Sequence, residues 1–257
     1  MIELFFAELR CSWIQIRRYP IESIAQIIIT STIFYGLFLG AGYIAGSSFK
    51  LGDRLDSIII SYILWILVNF VMANIAGKLQ YEAQTGTLEQ LFLSRYGAVK
   101  VFLMRGFADL TLEIVKIIII LFIITLLTGS RLFFPPILIL PFITVILGAY
   151  GFAFIVGALA LLLKRVQQLL SLILFPLLFI LAIPTETWTG TPKFLAQLIP
   201  MTPGSGLLRD LMARGEALNL ITLLIALING TVYFAIGLFL FRVAENVAKR
   251  RGILSGY

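Results

Sequence analysis

Histidine is missing from the 257 residues, and cysteine occurs once, at Cys11. The first absence removes the commonest general base and the commonest metal ligand together. The second leaves no partner for an intrachain disulfide and no thiolate cluster for a metal. Charge is scarce too. Only 13% of the residues are charged while 60% are hydrophobic, and the mean hydropathy is +1.02. So few charges cannot cover the surface of a soluble chain of this length, which excludes a soluble globular protein. No Gly-x-x-x-x-Gly-Lys-Ser/Thr run occurs, so ATP hydrolysis by the phosphate-loop route is excluded. There is no Asp-rich metal cluster, and Gly204-Ser205-Gly206 has no base to activate it. The chain reads as a non-enzyme, without catalytic residues or a metal site.

What is present is a series of uncharged runs: Ser23–Phe49, Ser57–Gly77, Leu132–Leu163, Val166–Thr185 and Ala217–Phe241. Each reaches the roughly 20 residues that cross a hydrocarbon core as helix. A sixth run, Leu110–Ser130, has the length but carries Glu113 and Lys116. The expectation is an all-α polytopic membrane protein. It forms one transmembrane domain over residues 1–257, with spans at about 23–46, 57–78, 107–129, 136–163, 166–184 and 217–241. The net charge of +7 is spread between the apolar runs, so a bilayer explains it and nucleic acid does not. Thirteen Lys and Arg fall on the side of the termini and six on the other, with Lys116 inside a span. That bias places both termini in the cytoplasm.

Ahead of the first span, Ile2, Phe5, Phe6, Leu9, Trp13 and Ile16 recur at helical spacing, with Glu3, Arg10 and Arg17 on another face. This predicts an interfacial helix over residues 1–19. It is either a static anchor or an elbow that moves with a partner. In the third span Arg105, Asp109, Glu113 and Lys116 share one face, and the pairs Arg105–Asp109 and Glu113–Lys116 are within reach along the helix. A charge near the bilayer centre costs at least about 2.5–3.5 kcal/mol, so this face avoids lipid. It is either a self-neutralised structural ladder, or a polar wall on the cytoplasm-facing half of a substrate route or a contact with polar head groups. Asn69, Asn74 and Asn229 suit interhelical hydrogen bonds. Gly36/Gly40, Gly42/Gly46 and Ala149/Ala153/Gly157 suit close helix packing, inside the chain or at a dimer seam. Pro176 should kink the fifth span.

Between spans two and three, Gly86 should end the preceding helix and Thr87 should cap a new one, with Gln90 completing a capping box. Leu88, Leu91 and Phe92 then share one face, while Glu89 and Ser94 fall away from it. Such a helix can dock in a groove on another protein or rest on lipid headgroups. The string Glu82-x-x-x-Gly86-Thr87-Leu88-Glu89-x-Leu91 resembles the loop signature of ABC-2 type transporter permeases. The six-span layout, the amphipathic N-terminal helix and the long last outer loop are similar to that family over essentially the whole chain. The resemblance implies that residues 82–95 form a coupling helix contacting a cytoplasmic ABC ATPase through Glu82, Gly86, Thr87, Leu88, Glu89, Leu91 and Phe92.

The segment Pro184–Glu216 holds two short amphipathic stretches, Pro192–Ile199 and Gly204–Arg214, separated by Pro200 and Pro203. Neither is long enough to span, so they dip in as re-entrant helices or lie on the surface with Trp188 at the interface. By resemblance to ABC-2 exporters this loop helps close an outer gate, with Pro200, Pro203 and Arg209 as candidates. The resemblance further implies two ATPase copies that carry ATP and Mg, a second permease subunit as homodimer or heterodimer partner, and the plasma (inner) membrane of a prokaryote. It also implies export of a drug, lipid, glycan or similar substrate. A secondary transporter working through Asp109, Glu113 and Lys116 and a non-transporting membrane scaffold are the competing readings.

Overall fold

A computed structural model describes residues 2–45, 52–94, 97–163 and 166–251. Lys50, Arg95, Lys164, Arg165 and the Gly46 half of the Gly42/Gly46 pair lie outside the described residues, as does the side chain of Glu89. Every regular element among the described residues is helical. Helix α1 spans Ile2–Arg18 and α2 spans Pro20–Ala45. Helix α3, Gly52–Met72, continues through a π-turn at Ala73–Gly77 into α4, Lys78–Gln84. The short α5 is Leu88–Phe92, and α6 runs without a break over Ala98–Thr128. Helices α7 (Ile139–Leu163) and α8 (Val166–Ala182) precede two short helices, α9 (Thr191–Leu198) and α10 (Thr202–Met212). Helix α11 is Leu220–Arg251.

Five of these segments are long and apolar enough to cross a membrane: those within α2, α3–α4, α6, α7 and α11. The charged run expected as a span is among them. Helix α6 starts at Ala98 rather than near residue 107, so it carries Arg105 inside a continuous helix. The fifth expected span is shorter than expected. Helix α8 has 17 residues, about 25 Å at the helical rise, with Pro176 inside it. It stops because Ile183 precedes Pro184, and the residue before a proline is disfavoured in helix. Helix α11 begins at Leu220, where the Asn219 side chain accepts from the amides of Ile221 (2.9 Å) and Thr222 (3.4 Å) as an N-cap.

The tightest helix pair is α7 with α11. A Cβ on Gly151 would sit 2.3 Å from the carbonyl carbon of Tyr233, and one on Gly237 would sit 2.1 Å from the Gly151 oxygen. Thr144 lies against Gly230, Gly151 against Gly237, and Gly157 against Phe241, so the two helices run parallel. The segment between them must therefore return the chain over the length of α7. Edge-to-face stacking of Phe154 on Phe241, with centroids 5.3 Å apart, and of Phe102 on Phe241 ties α6 into this pair. The expected Ala149/Ala153/Gly157 stripe is internal packing, with both alanines fully buried. Gly36 and Gly40 differ: nothing lies within 4 Å of a Cβ built on either. Helix α3 is the central span, with 72% of its apolar window buried, against 11% for α2.

Candidate functional site

Among the described residues, one of two polar clusters inside the bundle lies on one face of α6. Arg105 and Asp109 do not pair with each other along the helix, as their spacing led us to expect. Each reaches across to other helices instead. Arg105 Nε donates to Glu8 of α1 at 3.2 Å, and its Nη1 donates to Glu82 of α4 at 2.8 Å. Asp109 accepts from the Ser12 hydroxyl, from Asn74 Nδ2 at 2.7 Å and from the Lys78 ammonium. Glu113 does pair with Lys116, and Gln26 of α2 bridges both: its amide donates to Glu113 at 3.1 Å and accepts from Lys116 at 2.9 Å.

The spacing explains the contacts. Glu8 and Ser12 are one turn apart on α1 and meet Arg105 and Asp109, one turn apart on α6. Asn74, Lys78 and Glu82 are spaced by four on the opposite wall. Two polar helix faces therefore sandwich the α6 ladder, in register. Asn74 sits within the π-turn, where the extra residue per turn re-aims side chains. A cavity of about 210 Å³ opens beside the ladder, lined among others by Ser12, Gln26, Asn74, Asp109, Glu113 and Lys116. Glu8, Ser12, Gln26 and Lys78 escaped the sequence reading because they are isolated polar residues, paired only by the tertiary fold. The spacing of four shared by Asn74, Lys78 and Glu82 was the available signal.

The loop signature has a local structural logic. Gly86 has φ of +73°, and a Cβ built on it would meet nothing within 4 Å. The Thr87 amide donates to the Glu82 carbonyl at 3.0 Å and the Gly86 amide to the Ala83 carbonyl at 3.3 Å. This is a Schellman turn, which requires a residue comfortable in the left-handed region one position past the helix cap. The Thr87 carbonyl accepts from the Leu91 amide at 3.2 Å, so Thr87 holds the N-cap position of α5. Its hydroxyl, however, donates back to the Glu82 carboxylate, in place of the expected capping box with Gln90.

The apolar face of α5 also differs from expectation. Leu88 and Phe92 are 2% and 6% exposed and packed into the chain's own core, with Leu91 half-buried beside them. The Lys249 ammonium lies 5.4 Å from the Phe92 ring centroid, a cation–π contact from α11. A five-residue helix cannot hold its orientation alone, so its larger apolar groups root it to the bundle. What faces outward is Tyr81, Gln84, Thr85, Gly86, Gln90 and Leu93, the last 85% exposed.

At the other end of the bundle, α10 is packed among α3, α7 and α11 rather than lying on the surface, and Thr202 through Leu208 are buried. Arg209, fully buried, donates from Nε and Nη2 to the two Glu186 oxygens at 2.9 and 2.7 Å. Its remaining N–H groups reach Ser61 Oγ of α3 at 3.1 Å and the carbonyls of Leu181 at 2.6 Å and Ile183 at 3.2 Å. Pro203 lies in the first turn of α10, where a missing N–H does no harm. Pro200 precedes Met201, a non-glycine residue at φ of +66° whose amide donates to Asn229 Oδ1 at 3.3 Å. Asn229 also donates to the carbonyls of Gln197 (2.9 Å) and Ile199 (3.2 Å), so the interhelical role expected for it is filled.

In a comparison with protein families, the model of the ABC-2 type transporter matches residues 3–213. No curated protein sequence matches the chain significantly.

Proposed function

The chain belongs to the ABC-2 type transporter family, and on that premise we propose that it is the permease subunit of an ATP-driven exporter. Two ATPase subunits bind ATP and Mg on the cytoplasmic side, where both termini lie. A second permease subunit, identical or related, completes the path across the plasma membrane of a prokaryote. The observation that carries the coupling role is the corner at residues 81–93. It is rooted by Leu88 and Phe92, and it presents Tyr81, Gln84, Thr85, Gly86, Gln90 and Leu93 outward. Nucleotide-driven closure of the ATPases pushes this corner, and the bundle tilts as a bistable element to open the route outward. Arg209 and the Pro200–Pro203 turn belong to the outer gate. The substrate is a drug, lipid, glycan or similar compound.

A secondary transporter would work through Asp109, Glu113 or Lys116. These line the cavity, but each is already held by neighbouring side chains, and no feature of the family points to ion coupling through them. Purification from native membranes with an affinity tag on this chain tests the proposal. An ABC ATPase should co-purify and hydrolyse ATP, and candidate substrates should stimulate that hydrolysis. A chain that purifies intact without any ATPase overturns the reading.

A further inference from the structure

Each link between the proposed docking corner and the amphipathic helix α1 can be traced atom by atom. The Thr87 hydroxyl sits on one oxygen of Glu82 and Arg105 Nη1 on the other, at 2.8 Å. The same guanidinium uses its Nε edge on Glu8 of α1, at 3.2 Å. One planar, rigid group thus joins α4, α6 and α1, and side-chain exposures of 16–23% keep all three groups largely out of water. Partial drying strengthens such pairs relative to surface ion pairs. A lysine could supply the charge, but it could not hold two carboxylates at fixed angles. One turn further along both helices, Ser12 on Asp109 repeats the tie between α1 and α6. Ser12 also lines the inner cavity.

We infer that Arg105 is the joint through which the docking corner moves α1. On this inference α1 is not a passive anchor. A push on Thr87 and Glu82 turns the guanidinium, displaces Glu8 and shifts the α1 wall of the polar cavity, so the shape of that cavity follows the nucleotide state. Arg105 acts here as a positioning residue, and the inference rests on the permease reading above.

Cys11, the single cysteine, lies exposed on α1 and offers a unique attachment point on this chain. The complex with its ATPase, labelled at Cys11 with an environment-sensitive fluorophore, is titrated with a non-hydrolysable ATP analogue and Mg. The wild type should show a saturable change in emission. Glu8→Gln, which keeps shape and removes the charge, should lose most of that change while retaining the ATPase. Arg105→Lys should do the same, and Glu3→Gln, on the exposed face of α1, should respond like wild type. A full response from Glu8→Gln with ATPase bound overturns the joint, as does a silent label on the wild-type complex. If Arg105→Lys fails to assemble, Glu8→Gln alone decides. If no ATPase accompanies the wild-type chain, the permease reading falls first and the joint falls with it.

Discussion

Arg209 and Glu186 meet fork to fork, with parallel bonds of 2.9 and 2.7 Å, and the arginine is wholly buried. Ser61, Leu181 and Ile183 take the other N–H groups, so five donors meet five acceptors from α3, the end of α8 and the turn that follows it. Glu186 also accepts from Arg214 at 3.1 Å, which brings in the turn just past α10. A buried charge is tolerable only with such complete satisfaction.

Arg209→Lys keeps the charge but offers three donors instead of five. It leaves at least two of the five acceptors unpaired, at about 1–3 kcal/mol for each. Thermal unfolding in detergent should show a fall in Tm of about 10 °C. The double substitution Arg209→Met with Glu186→Leu removes both charges and should recover much of that loss. A single lysine variant with unchanged Tm would contradict the pairing.

Much of this architecture was legible in the sequence, because lipid imposes long apolar helices and charges then mark their ends. The α6 span was legible despite Glu113 and Lys116, since the apolar run continues past them. The partners of Arg105 and Asp109 were not. Helical spacing makes Arg105 and Asp109 look like a pair; it puts Asn74, Lys78 and Glu82 on one face but does not say that this face, or Glu8 of α1, meets α6. The inward turn of α5 was missed for a related reason. Periodicity identified Leu88, Leu91 and Phe92 as one face but could not say whether that face meets a partner or the chain's own core.

The glycines divide into two kinds, and substitution should separate them. Gly151→Ala and Gly237→Ala place a methyl group about 2 Å from backbone atoms of the facing helix. Backbone cannot rotate away as a side chain can, so α7 and α11 would have to separate. Both variants should lose several kcal/mol or fail to accumulate in the membrane. Gly36→Ala and Gly40→Ala meet open space and should leave the folded chain's Tm unchanged or slightly raised, since alanine favours helix.

Asn229 holds three backbone groups of the α9–α10 turn, including the strained Met201. Asn229→Leu should leave the Met201 amide and the Gln197 carbonyl without this partner, while the Ile199 carbonyl keeps the Thr202 amide at 3.4 Å; the cost is about 1–3 kcal/mol for each buried group left unpaired. The loss should be local. Hydrogen exchange should rise at the amides of Ile199, Met201, Thr202, Gly204 and Ser205 and stay unchanged in α1 and α6. Unchanged exchange at those amides would show that the turn is held by packing alone.

The corner at residues 81–93 should respond differently at its root and at its tip. Leu88 is 2% exposed, so Leu88→Ala removes buried methyl groups and should cost about 2–5 kcal/mol, with a lower Tm. Gly86→Ala forces a side chain into φ of +73° and should cost about 1–2 kcal/mol, loosening the turn without touching the core. Leu93 is 85% exposed and makes no such contribution, so Leu93→Asp should leave Tm unchanged. If this surface meets the ATPase, that same variant should sharply reduce the amount of ATPase recovered with the tagged chain. Hydrophobic anchors at the centre of an interface carry much of its energy, and a desolvated carboxylate opposes binding. The two readouts therefore cross. A root variant lowers stability first and partner recovery only as a consequence, whereas a tip variant lowers partner recovery alone. Full recovery of ATPase with Leu93→Asp would move the contact away from the tip and onto the Tyr81–Gly86 edge of the corner.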